Sequence, residues 1–253
     1  NEAAFANHGL RSLVQLLSRE VRAARKAGQE VVLLPQGGFK AETAYATVIG
    51  LLFGLSMFYV HETFKTLVPL PAAPVGWDLG LFANHEWFFT WLDQQPRPTA
   101  AVAERLAALS EDRAAVEALL EPGTDGNVYL SPMGEAYFEA FRGVLDAPAN
   151  DTVLLSPAAH TSLIRFPGIY RPVLERLGRR QVRQARGRVR GEVRIFPQGG
   201  YDGRAAYVET EEGVHVLELA RHGREYDDLN DRIHTGRLRL DAYPVTEAHP
   251  WNE

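Results

Sequence analysis

The stretch VLLPQGGFKAETAYATVIGLLFGLSMFYVHETF (residues 32–64) decides how the first part of this chain folds. EVVLLP (30–35) and SMFYV (56–60) read as short strands, and Lys40–Gly54 between them reads as a helix. Upstream, Leu10, Leu13, Val14, Leu17, Val21 and Ala24 recur at helical spacing, with Gly28 as a stop. Helix, strand, helix, strand with short joins predicts an α/β layer with a parallel sheet. Both strands are almost wholly apolar, as expected where both faces are covered.

The tetrapeptide at the first turn, Pro35-Gln36-Gly37-Gly38, recurs at 197–200 in IFPQGGYDGR (195–204). At 35–38 the glycines stand between a strand and a helix. They either make a tight turn alone, or let consecutive N–H groups converge on an anion at the helix N-terminus with Lys40 at the rim. At 197–200 extended residues follow, and Pro197 cannot donate to a sheet ladder, so this copy reads as a hairpin loop. The two copies are not read as an internal repeat.

The bulk composition is that of a globular protein: 253 residues, 45% hydrophobic and 23% charged, enough for one large domain or two small ones. There is no cysteine, which excludes disulfides and thiolate zinc sites and suits a reducing cytoplasm. The eight histidines form no close ligand pair, so no metal is expected. The net charge of −5 hides an uneven distribution, because Arg171 to Arg194 holds nine arginines against Glu175 and Glu192. Such a block points to an anionic partner. The most apolar run, Val48–Val60, is too short to span a bilayer, and no signal peptide is visible. The chain begins at Asn1 rather than Met, which is read as a processed or incomplete copy.

PLPAAPVGWD (69–78) is a linker candidate, and 84–145 reads as mostly helical, with the aromatic run EWFFTW (86–91) as core. A second boundary falls at Ala147–Asp151. The last hundred residues predict a small α+β domain: a basic helix over 170–186, strands at 192–196, 203–209 and 214–221, and a closing helix in GREYDDLNDRI. The expected organisation is 1–78, 79–150 and 151–253.

The C-terminal residues carry a recognisable chemistry. A hairpin between the first two strands is expected to bring Arg194 and Arg204 onto neighbouring strands, and LARHGREY adds Arg221, His222 and Tyr226. Arginine clamps a phosphodiester through a planar fork that stays charged, and histidine exchanges protons near neutrality. Several Arg, a His and a Tyr suit metal-independent RNA cleavage, in which a 2′-hydroxyl attacks the adjacent phosphate. An Arg-rich sheet edge that merely binds RNA remains the alternative. If the last strand runs unbroken, Arg221 and His222 face opposite sides, and a bend at Gly223 is needed to bring them to one site. On a single helix Arg176, Arg179, Arg180 and Arg183 share a face, either as a solvated surface or as an RNA contact.

On the residues quoted at the outset, the first 75 or so positions resemble the second half of a CARF domain, the CRISPR-associated Rossmann-type sensor of cyclic oligoadenylates. The resemblance implies a homodimer that binds cyclic tetra- or hexa-adenylate, with Gln36, Gly37, Gly38 and Lys40 on the ligand and His61 and Glu62 as weaker candidates. It leaves the first half of that Rossmann fold unaccounted for. RGEVRIF, GRAAYVE, VHVLELARHG and REYDDL, within about 160–235, resemble the RelE family of toxin ribonucleases, which cut mRNA in the ribosomal A site. That resemblance implies Arg194 as a phosphate contact, Arg204 and Arg221 as transition-state stabilisers, His222 as general acid or base, and Tyr226 stacking on a base or assisting proton transfer. Arg176, Arg179, Arg180 and Arg183 would meet RNA.

Together they imply a CARF–RelE protein: an mRNA interferase of type III CRISPR defence, switched on by cyclic oligoadenylate, with ribosome and mRNA as partners, no cofactor, and a cytoplasmic location. Two rivals stand beside it. One is a ligand-controlled transcription regulator whose residues 84–145 form a winged-helix-like DNA binder. The other is a sensor that degrades its own ligand at Lys40.

Overall fold

The structure, a computed structural model, describes residues 9–36, 39–60, 63, 66–70, 79–190, 192–197, 201–243 and 247–248. The chain divides into two compact units, Asn1–Phe82 with Trp87–Asp146, and Ala83–Glu86 with Ala147–Glu253. The helical middle of the chain therefore packs with the N-terminal part. Among the described residues no helix is long and apolar enough to cross a membrane.

In the first unit, α1 (Leu10–Lys26), β1 (Val32–Leu33), α2 (Lys40–Leu52) and β2 (Ser56–Val60) follow the order read from the sequence. β1 pairs with β2 in parallel, Leu33 opposite Met57. β3 (Leu67–Leu70) then adds antiparallel, so Pro69 and Leu70 of the linker candidate are strand instead. Val14 and Val21 of α1, Ile49 of α2, Phe53, Leu55, and Ala136 and Ala140 share one core. Gly50 is required there: a Cβ on it would lie 2.1 Å from the Met57 sulfur, so a side chain would push α2 off β2.

The middle segment is α3 (Gly80–Asn84), α4 (Glu86–Gln94), β4 (Arg97–Pro98), α5 (Thr99–Ala107), α6 (Arg113–Glu117), β5 (Leu120–Pro122), β6 (Asn127–Leu130) and α7 (Pro132–Asp146). Phe88 and Phe89 of EWFFTW are fully buried, as expected of core. The sequence reading missed the small antiparallel sheet β4-β6-β5. Its turn is built by Gly126, at φ +80°, and Asp125. The Asp125 carboxylate accepts from the Asn127 amide, the Asn127 side chain and the Tyr129 hydroxyl at 2.7–3.1 Å. Those bonds, the one from the Asn127 side chain foremost, hold Asp125 down to about 2.

The second unit is a six-stranded sheet in the order β12-β7-β11-β10-β9-β8. β7 is Val153–Leu155, β8 Arg188–Arg190, β9 Val193–Phe196, β10 Gly203–Thr210, β11 Gly213–Arg221 and β12 Glu247–Ala248. β7 runs parallel to β11, and the other pairs are antiparallel. The expected three-strand meander is present as β9–β10–β11. The basic helix is not continuous: α8 (Pro157–Arg165) is followed by α9 (Pro167–Leu177) and α10 (Arg180–Arg186). Gly178 is the reason for the break. Its carbonyl accepts the backbone N–H groups of Asn150 and Asp151 at 3.0 and 3.1 Å, so it takes no part in a continued helical ladder.

The closing helix α11 spans Arg224–His234. Its Leu229 and Ile233 pack on Val193, Ile195, Ala206 and Leu217 of the sheet. The opposite face meets α9, where a Cβ on Gly203 would sit 3.0 Å from the Tyr170 ring. The meander thus lies between α11 and the α9–α10 pair.

Candidate functional site

The register of the meander sorts the arginines. Phe196 stands opposite Ala205 and Arg194 opposite Tyr207, so Arg194 and Arg204 are three positions out of register. Strand alternation then puts them on opposite faces. This corrects the expected Arg194–Arg204 pair. Arg194 reaches Glu209 at 3.0 Å, whereas Arg204 lies 5.7 Å from the Tyr226 ring of α11.

The sheet end at Gly203–Arg221 is where the remaining candidates gather. β10 and β11 finish their ladder with Gly203 opposite Arg221, and the His222 N–H then donates to the Asp202 carbonyl at 2.6 Å. Gly223 turns the chain at φ +98° and starts α11. A side chain with a Cβ would be strained there. The bend does not unite Arg221 with His222. The His222 ring lies 6.4 Å from Tyr226 and nearly parallel to it. Arg221 lies over the Phe166 ring at 4.8 Å and forms a close pair with Glu225. The first turn of α11 straddles the sheet end, with Glu225 on Arg221 and Tyr226 beside Arg204 and His222.

The electrostatics differ as sharply. Glu225 accepts from the Arg221 backbone N–H and Nε, both at 2.9 Å. Those bonds lower the Glu225 pKa and raise that of Arg221. Arg204 is 3% exposed, and its Nη1 donates to the carbonyls of Tyr201 and Gly203. Among the described residues no carboxylate bonds to it. Burial lowers its pKa, against a smaller opposing field from Tyr226 and Asp202. Among the described residues the hydrogen bonds of this buried guanidinium go to carbonyl dipoles, with Asp202 acting only through its field, so it is short of counter-charge.

The four arginines expected on RNA are engaged elsewhere. Arg176 forks onto Glu86 at 2.7 and 3.1 Å, and Arg180 holds Asp151 at 2.6 Å. Arg183, 3% exposed, bridges Asp151 and Glu209 at 2.7 and 2.9 Å. The Arg179 Nη1 donates to the Glu175 carbonyl. The break at Gly178 separates Arg176 from Arg180 and Arg183, so the single basic face is replaced by local ion pairs.

In the first unit, Gln36 and Lys40 are both exposed. The Gln36 side chain donates to the Val60 carbonyl at 3.3 Å, at the end of β2. Lys40 opens α2, a 13-residue helix. Gly37, Gly38, His61 and Glu62 lie outside the described residues.

The sequence reading missed Glu225, Phe166, Tyr201 and Glu86. Glu225 had a local signal, being four residues from Arg221, whereas Glu86 is 90 residues from Arg176 and had none. Among the described residues no group of three or more His, Asp or Glu could hold a metal ion. A search of the curated proteins finds no match to the chain. Residues 1–73 match the family described as CRISPR-associated protein (Cas_APE2256), which indicates a CRISPR-associated protein.

Proposed function

We propose that the chain is an endoribonuclease of CRISPR defence, switched on by cyclic tetra- or hexa-adenylate and acting on ribosome-bound mRNA without a metal. The observation that carries the ribonuclease reading is Arg204, a buried cation with no carboxylate partner among the described residues, near the Tyr226 ring on which His222 stacks. A guanidinium held in that state gains most from an arriving phosphodiester, and most of all from the extra charge of its transition state. The family match over 1–73 and the exposed Gln36 and Lys40 beside a strand-to-helix turn support the sensor half.

In this mechanism the RNA 2′-oxygen bonds to the adjacent phosphorus as the P–O5′ bond breaks, leaving a 2′,3′-cyclic phosphate and a 5′-hydroxyl. Arg204 stabilises the phosphorane charge, His222 moves a proton, and Tyr226 backs the nucleobase or assists the transfer. Arg221 takes a flanking phosphate once it exchanges Glu225 for it, since carboxylate and phosphate satisfy the same fork.

The DNA-binding alternative draws on the order α4, β4, α5, α6, β5, β6, which is that of a winged helix. Charge disfavours it. Residues 87–130 hold Arg97, Arg105 and Arg113 against Asp93, Glu104, Glu111, Asp112, Glu117, Glu121 and Asp125. Arg105 lies 4.2 Å from the Trp91 ring, Arg97 bonds to the Trp91 carbonyl, and Arg113 bonds to Glu117. Phosphate binding needs the reverse balance.

A translation extract separates the readings. Ligand-dependent mRNA ends in the ribosomal A site, reduced in Arg204→Lys and His222→Ala, support the nuclease. Specific duplex DNA binding with intact mRNA contradicts it.

A further inference from the structure

Arg204 is aimed by a chain of contacts reaching back along the sequence. Its Nη1 donates to the Tyr201 carbonyl, and the same tyrosine is gripped at its other end. The Tyr201 hydroxyl donates to Glu86 Oε2 at 2.9 Å, and the Arg176 guanidinium lies 5.3 Å from the Tyr201 ring. Arg176 in turn forks onto both oxygens of Glu86. The Arg176 and Glu86 side chains are 21% and 16% exposed, so the contact is largely shielded from water.

We infer that Glu86 and Tyr201, locked by Arg176, are positioning residues that fix the Arg204 guanidinium for the phosphate; the inference rests on the ribonuclease reading above. Among the described residues Arg204 bonds to carbonyls, which are uncharged, so the acceptor that points it must itself be immobile. Tyr201 meets that need because hydroxyl and ring are both held. Arg176 acts here as the brace of that tyrosine.

The test is single-turnover cleavage of ribosome-bound mRNA by the full chain with its cyclic oligoadenylate, read beside hydrogen exchange at the Arg204 guanidinium by nitrogen-15 NMR. Tyr201→Phe and Glu86→Gln are expected to lower the rate about tenfold. The ribosome concentration at half-saturation should stay unchanged, while exchange at Arg204 speeds up. In an Arg204→Lys background the same substitutions are expected to add nothing, because the residue they position has gone. Equal losses in both backgrounds, or slower cleavage with Arg204 exchange unchanged, would overturn the positioning role. If the wild-type chain cleaves nothing, the ribonuclease reading falls, and the exchange measurement alone still decides whether Tyr201 and Glu86 hold Arg204.

Discussion

On the sheet face covered by α9 and α10, Arg183 and Arg194 both end on Glu209, and Arg183 also reaches Asp151. On the face covered by α11, Arg204 is as deeply buried as Arg183 and ends on two carbonyls and an aromatic ring. The same residue type in the same sheet is neutralised on one side and left short of charge on the other. An arginine-rich segment therefore does not locate an anion site; the way each guanidinium is paired does. Nine arginines between 171 and 194 look like the RNA-binding surface in the sequence, yet Arg204, buried and with no carboxylate bonded to it among the described residues, lies outside that block.

The largest expected effect breaks this contrast at its active end. Arg204→Met should lower cleavage by about 10²–10³-fold, the cost of removing one transition-state donor. His222→Ala should cost about 10²-fold or more if His222 moves the proton. Both are read as single-turnover rates.

Stability should respond in the opposite order. Arg183→Met removes the cation shared by Asp151 and Glu209, which keep Arg180 and Arg194, and is expected to cost about 1–3 kcal/mol in denaturant unfolding. Arg204→Met removes a buried charge with no carboxylate bonded to it among the described residues and is expected to leave stability within about 1 kcal/mol or raise it. Equal destabilisation by the two would break the comparison.

The first unit carries the inverse case, a buried carboxyl short of counter-charge. Glu135 on α7 is 4% exposed; Gln15 bonds to its Oε1 at 2.9 Å, and its Oε2 has no hydrogen-bond partner among the described residues. Burial, with the field of Asp93, pushes it up from 4.5 to about 7. Folding then holds the proton more tightly than the unfolded chain does. The associated stability is fully present below pH 4.5 and is lost as pH rises through about 7, amounting to about 3 kcal/mol. Glu135→Gln should flatten that slope and leave the protein more stable than wild type at pH 8. An unchanged slope would remove Glu135 as its source.

The smallest effect belongs to the exposed Arg221–Glu225 pair. Glu225→Gln should leave the unfolding midpoint where it is, because screened surface pairs contribute little. It should raise affinity for ribosome-bound RNA a few-fold, because Arg221 no longer has a rival ligand.

Much of the fold was legible, because local pattern decided it. The apolar runs around GGFK gave β1 and β2, and VRIF, GRAAYVE and VHVLELAR gave the meander. β7 was missed because three residues, Val153–Leu155, carry no period of their own. The hairpin β5–β6 was missed inside a segment rich in helix formers, although its Asp125-Gly126 turn was a signal. The site was half legible. Arg204 and His222 each lie against Tyr226, at the sheet end that residue type and spacing pointed to. Arg194 leaves them because register, which sequence alone does not set, puts it on the other face. Arg176, Arg180 and Arg183 change role because Glu86, Asp151 and Glu209 are their partners, 26 to 90 residues away.

Arg204→Met gives the most direct test of the central claim, with mRNA ends mapped on ribosomes and the unfolding midpoint measured on the same preparation. The expected result is ligand-dependent A-site cleavage in the wild type and its loss in a variant that unfolds at the wild-type midpoint or above. Cleavage that persists in the folded variant would contradict the account.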